Sequence, residues 1–195
     1  MLQHVVSQGI AVPLHYGRMK RLVLVLVVVG PLLLSARNAG TAAASLCAPQ
    51  ETVVFACPAG AKLISVCASN DAATGAGYLQ YRFGKAGSRG PLELTLPAGR
   101  TLPAAAASGD TLSFSGGGGA WLRFHDAPFA YVVYTGIGKW GREGATVEKQ
   151  GVVVERGGAA IANLKCSSKV TSLLGPGWFG KAGVQRHGET FELPD

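Results

Sequence analysis

Residues 52–67 read TVVFACPAGAKLISVC, and this stretch decides the fold class. Two apolar runs rich in β-branched residues, 52–57 and 62–67, flank Pro58-Ala59-Gly60, a chain-turning tripeptide. The pattern predicts an antiparallel hairpin in which each strand ends on a cysteine, Cys57 and Cys67.

The same grammar continues outward. After a small polar loop, residues 78–83 (YLQYRF) alternate so that Leu79, Tyr81 and Phe83 share one face while Tyr78, Gln80 and Arg82 share the other. Residues 91–97 (PLELTLP) alternate leucine with polar residues, as a half-buried strand does. Residues 98–109 carry no pattern and read as a loop. Residues 111–115 form a further strand, and the run Gly116 to Gly119 reads as a flexible turn or bulge. Residues 121–124 and 129–134 are strands around a turn at 125–128. A glycine-rich loop then covers 136–144. Residues 145–149, 151–156 and 160–165 complete the set, the last two joined by Gly157-Gly158 as a tight hairpin. The echo between 77–81 and 120–124 is the shared grammar of hairpins. Helical periodicity is nearly absent after Ser45. The expected fold is all-β: a small antiparallel barrel or sandwich of about 8–10 short strands, stabilised by disulfides.

The N-terminal part reads differently. Met19-Lys20-Arg21 precedes the uncharged apolar run 22–34, and small residues follow through Ala42 and Ala44. A positive start, an apolar stretch and an A-x-A site make a secretory signal, with cleavage expected after Ala44. The run is shorter than the roughly 20 residues a membrane span needs, so no stable span is expected after cleavage. Leu46, rather than a small residue, precedes Cys47, which argues against a lipid anchor. The expected organisation is therefore a mis-assigned extension at 1–18, a signal at 19–44, a β domain at 45–166 and a Gly-rich tail at 167–195. Apolar islands around Trp178 and Phe191 leave open whether that tail packs on the domain or forms an arm.

From Ser45 onward 14 basic and 11 acidic residues remain, a net charge of +3. The basic residues are scattered singly, so no nucleic-acid patch is formed. Cys47, Cys57, Cys67 and Cys166 are an even set in an exported chain, which predicts two disulfides in one of three connectivities. The spacings match no zinc motif, and the glycine runs lack the residues of a phosphate or dinucleotide loop, so no metal or cofactor is expected. His125-Asp126 is the sole adjacent His/Asp pair. A hydrolase would need a serine beside it, Ser113 and Ser115 being nearest in sequence, but no nucleophile elbow is present and Asp is ordinary in a turn. Of the aromatic residues Tyr78, Tyr81, Trp121, Tyr131 and Tyr134, at least half should fill the core by strand alternation. Lys139, Trp140 and Arg142 are different: a Trp flanked by cations on a glycine-rich loop suits protein recognition.

The segments FACPAG (55–60), SVCAS (65–69), GYLQYRFG (77–84), YVVY (131–134) and IANLKC (161–166) together resemble a family of uncharacterised exported proteins of Gram-negative bacteria. A remoter resemblance is to periplasmic inhibitors of c-type lysozyme, small β-barrels with one cysteine on the first strand and another near the last. Cys57 and Cys166 fit that layout, Ser115-Gly116 and Trp121 match part of the inhibitor motif, and Trp140-Gly141-Arg142-Glu143-Gly144 departs from it. The layout favours Cys57–Cys166, with Cys47–Cys67 as the second bridge. The functional expectation is a non-enzymatic envelope protein, periplasmic or secreted, that binds a protein or cell-wall partner. Its candidate contact residues are Ser115, Trp121, Lys139, Trp140 and Arg142. The alternatives are inhibition of c-type lysozyme and a hydrolase using His125 and Asp126.

Overall fold

The computed structural model describes residues 44–86 and 92–195. The expected extension, and the signal up to residue 43, lie outside the described residues. Two five-stranded antiparallel sheets pack face to face as a sandwich. They are not closed into a barrel, which resolves the expected pair of architectures.

The hairpin read from residues 52–67 is the centre of the first sheet. β1 (Glu51–Ala59) and β2 (Lys62–Ser69) pair with Ala59 opposite Lys62, around a turn in which Gly60 has φ +60°. β3 (Leu79–Lys85) and the short β4 (Leu94–Leu96) extend one side. On the other side β1 pairs with β10 (Thr171–Ser172), so the tail begins as part of this sheet.

The second sheet is a meander of β5 (Ser108–Phe114), β6 (Gly117–Asp126), β7 (Phe129–Gly138), β8 (Val147–Arg156) and β9 (Ala159–Lys165). Val54, Phe55, Ile64, Val66, Leu79 and Tyr81 of the first sheet meet Leu122, Phe124, Val133 and Val152 of the second in one apolar core. Burial of this kind contributes about 25 cal/mol per Å² of apolar surface. Tyr81 stacks on Tyr131 across the sheets, with ring centroids 5.6 Å apart. The alternation read in 78–83 holds: Leu79 and Tyr81 face this core, while Gln80 and Arg82 lie on the opposite face.

Several expected boundaries move. The glycines 117–119 are ladder residues of β6, not a flexible turn. The two strands expected at 145–149 and 151–156 are one, because Gly151 continues the pairing with Tyr134. The patternless stretch 98–109 contains a one-turn helix, α1 (Pro103–Ala106), and the start of β5. His125 and Asp126 end β6, and the turn itself is Ala127-Pro128. The Gly157-Gly158 hairpin forms as read, with φ of +57° and +82°, values that a side chain would strain.

The tail packs. A second helix, α2 (Pro176–Ala182), places Phe179 and Ala182 against the inter-sheet core, and the Gly109 amide of β5 donates to the Gln185 carbonyl. Residues 189–195 then run without regular structure over the outer face of the second sheet. There Phe191 joins Trp121, Val132, Tyr134 and Val153 in a second apolar cluster.

Both disulfides join the expected partners. Cys57–Cys166 links β1 to the residue after β9, and so one sheet to the other, across 109 positions. Cys47–Cys67 fixes the segment before β1 onto β2 across 20 positions.

Candidate interaction surface

Four of the five candidate contact residues gather near one end of the second sheet. Ser115 is exposed in the β5–β6 turn. Lys139 folds over the neighbouring Gly116, where a Cβ would sit 3.2 Å from the lysine Cδ. Trp140 lies flat on Gly138: a Cβ there would be 2.7 Å from the indole Cε2. Glycine at 138 is thus what lets the indole settle on the strand. Phe114 packs against the ring at a centroid distance of 5.2 Å, and the Lys149 ammonium stands 4.9 Å from its centroid. These contacts orient the indole yet leave Trp140 38% exposed. Arg142 is exposed in the 3₁₀ turn Arg142–Gly144, two residues on. Val147, where the chain re-enters the sheet, is also exposed. A cavity of about 400 Å³ opens between Leu112–Ser115, Trp140 and residues 191–193.

Trp121 is a correction to the sequence reading. It is 1% exposed, roofed by Phe191 with centroids 6.1 Å apart, and the Arg123 guanidinium lies 5.0 Å from its ring. Strand alternation puts it on the outer face of the second sheet, but the tail covers that face, so it is not available as a contact residue.

A second feature lies at the other end of β6. Arg123 bonds Glu155 through Nε and Nη2, each at 3.0 Å, and donates from Nη1 to Glu189 Oε2 at 2.8 Å. Ser108 Oγ donates to the same Oε2, and His125 Nε2 lies 2.9 Å from Oε1. Burial alone would raise the Glu189 carboxyl. Hydrogen bonds from Ser108, Arg123 and His125 outweigh it and hold the group below its ordinary value. An open cleft of about 500 Å³ borders this cluster.

The cluster contains Ser, His and Glu, but not in the order of a hydrolytic triad. Imidazole and hydroxyl bind opposite oxygens of one carboxylate instead of each other, so the histidine is not placed to take the serine proton. Asp126 is exposed. Ser113 pairs opposite Gly118, seven residues along β6 from His125, or roughly 23 Å at strand rise. The expected nucleophile candidates and His125 are therefore not brought together.

On the outer face of the first sheet Arg82 makes a two-pronged pair with Glu51, which also accepts from the Tyr78 hydroxyl at 2.6 Å. Burial pushes Glu51 up, but these bonds and the Ala48 amide bring it below its usual range. Among the described residues the one tight group of metal-ligand types is Cys47, Glu51 and Cys67. Its two sulfurs are joined to each other, so it offers a carboxylate alone. Among the described residues no helix is long and apolar enough to cross a membrane.

Sequence reasoning missed Arg123, Glu155, Glu189 and Ser108 as a unit. A weak signal existed: Arg123 falls between Leu122 and Phe124 in an apolar strand, so its face had to be covered by something able to pair it. Comparison of the chain with protein-family models, curated proteins and solved structures finds no match.

Proposed function

We propose that this chain is an exported protein of the periplasm or the cell exterior that binds a protein partner through the Ser115–Lys139–Trp140–Arg142 end of its second sheet. Export is supported by the signal-like residues 19–44 and by two disulfides, which persist in oxidising compartments. The observation that carries the binding reading is Trp140. It is oriented by Gly138, Phe114 and Lys149, yet left open to solvent among exposed cations. Oriented aromatics of this kind anchor interfaces, since little side-chain entropy remains to be lost.

The partner class that fits is a protein with a carboxylate-lined cleft, which Lys139 and Arg142 would face. A c-type lysozyme is the test case, in keeping with the sequence resemblance. Purified residues 45–195, with disulfides intact, are titrated against lysozyme activity alongside Trp140→Ala. The expected outcome is stoichiometric inhibition that Trp140→Ala weakens at least about tenfold, the effect of losing one interface anchor. Inhibition untouched by Trp140→Ala would move the interface elsewhere. No inhibition at high excess would remove lysozyme as the partner.

A further inference from the structure

We propose that the outer face of the second sheet is a peptide-binding groove, and that residues 189–195 are its resident occupant. The groove would take in trans a segment of the same chemistry: an acid, an aromatic two residues on, then, after one more residue, leucine-proline and a closing acid.

The mode of attachment carries the inference. Residues 190–195 lie across the strands without joining the ladder. Among the described residues, the ties that hold them come from side chains. Arg123 Nη2 donates to the Thr190 carbonyl at 3.1 Å, Lys149 Nζ to the Pro194 carbonyl at 2.8 Å and Lys165 Nζ to the Asp195 main-chain oxygen at 2.8 Å. These bonds fix the backbone of the segment, and the apolar contacts described next take its side chains, the division of labour by which proteins hold extended peptides.

Charge and shape agree with one occupant. Arg123 and His125 meet Glu189 at one end, and Lys149 and Lys165 meet Pro194-Asp195 at the other. Between them Phe191 drops onto Trp121 and Tyr134, with ring centroids at 6.1 and 5.9 Å. Leu193 rests over Gly136, where a Cβ would come within 2.5 Å of its Cδ1. Tyr134 is itself held by a bond from its hydroxyl to Asn163 Oδ1 at 2.9 Å, a contact that does not involve the occupant.

Two open clefts border the occupant. Cavities of about 400 Å³ and about 260 Å³ flank it, the first beside Phe191 and Leu193 and the second between Tyr134, Lys149, Lys165 and Asp195.

The test uses the whole mature chain and a fluorescent peptide of residues 188–195. In wild type the resident segment competes, and an occupied groove lowers apparent affinity by the fraction of time it is free. Phe191→Ala in the chain weakens the resident segment and leaves the floor intact. The expected result is that Phe191→Ala binds the peptide at least tenfold more tightly than wild type does. A peptide with alanine in place of that phenylalanine should lose the binding. A Phe191→Ala protein that keeps a cooperative thermal transition and binds no better than wild type would overturn the proposal. Should that variant fail to fold, Leu193→Ala, which alters a less buried contact, is held to the same criterion.

Discussion

Glu189 shows how a single residue couples the tail to the sheet. Its carboxyl titrates below its ordinary value in the folded chain and at that ordinary value once unfolded. A depressed carboxylate of this kind contributes stability that is fully present above the unfolded value and is lost as pH falls through the folded one. Stability should therefore hold down to about pH 5 and drop below that. Glu189→Gln should cost about 1–3 kcal/mol at neutral pH, the worth of hydrogen bonds to a charged group, and should flatten the acid limb. Urea unfolding of both proteins between pH 3 and pH 7 measures this. Glu51, also depressed, keeps part of the acid dependence in the variant. An unchanged acid limb in Glu189→Gln would contradict the network. At this scale the sequence was only partly readable. The cysteines announced themselves by number and compartment, but Arg123 and Glu189 stand 66 positions apart, and no local pattern links them.

The strands were the most legible elements, because a half-buried strand writes its two faces into alternate residues. Leu79, Tyr81 and Phe83 did so; the glycines 117–119 did not. A residue without a side chain carries no alternation, so they read as a turn, whereas the structure uses them where neighbouring groups come close. A Cβ at Gly119 would lie 2.5 Å from the Thr135 carbonyl oxygen of the adjacent strand, and backbone cannot step aside as a side-chain tip can. Gly119→Ala should destabilise by roughly 1–3 kcal/mol, the usual cost of overpacking. Gly99→Ala, with open space at its Cβ, should be near neutral by the same chemical-denaturation assay. Equal costs would show that the close approach at Gly119 is not what selects glycine. α2 was hidden for a related reason: seven residues, PGWFGKA, with two glycines and a proline carry little helical propensity, and tertiary contacts through Phe179 and Ala182 hold the helix.

The described residues form a two-sheet sandwich with each outer face partly roofed. The segment before β1, tied by Cys47–Cys67 and by Arg82 to the Leu46 carbonyl, lies on the first sheet. Residues 189–195 lie on the second. That second roof turned the predicted surface Trp121 into a buried residue, since alternation names the face of a side chain but not what will cover it. Ser115, Lys139, Trp140 and Arg142 escaped burial because they belong to turns at the sheet end, beyond Leu193. This is the end proposed to meet a partner. Trp140 is replaced by a photoreactive benzoyl-phenylalanine in the producing cell, and in a separate strain so is Ile161, another exposed apolar residue, 57% accessible on β9. After illumination a discrete adduct of one partner's mass is expected from position 140 and none from position 161. No adduct at 140, or the same adducts at both positions, would contradict it.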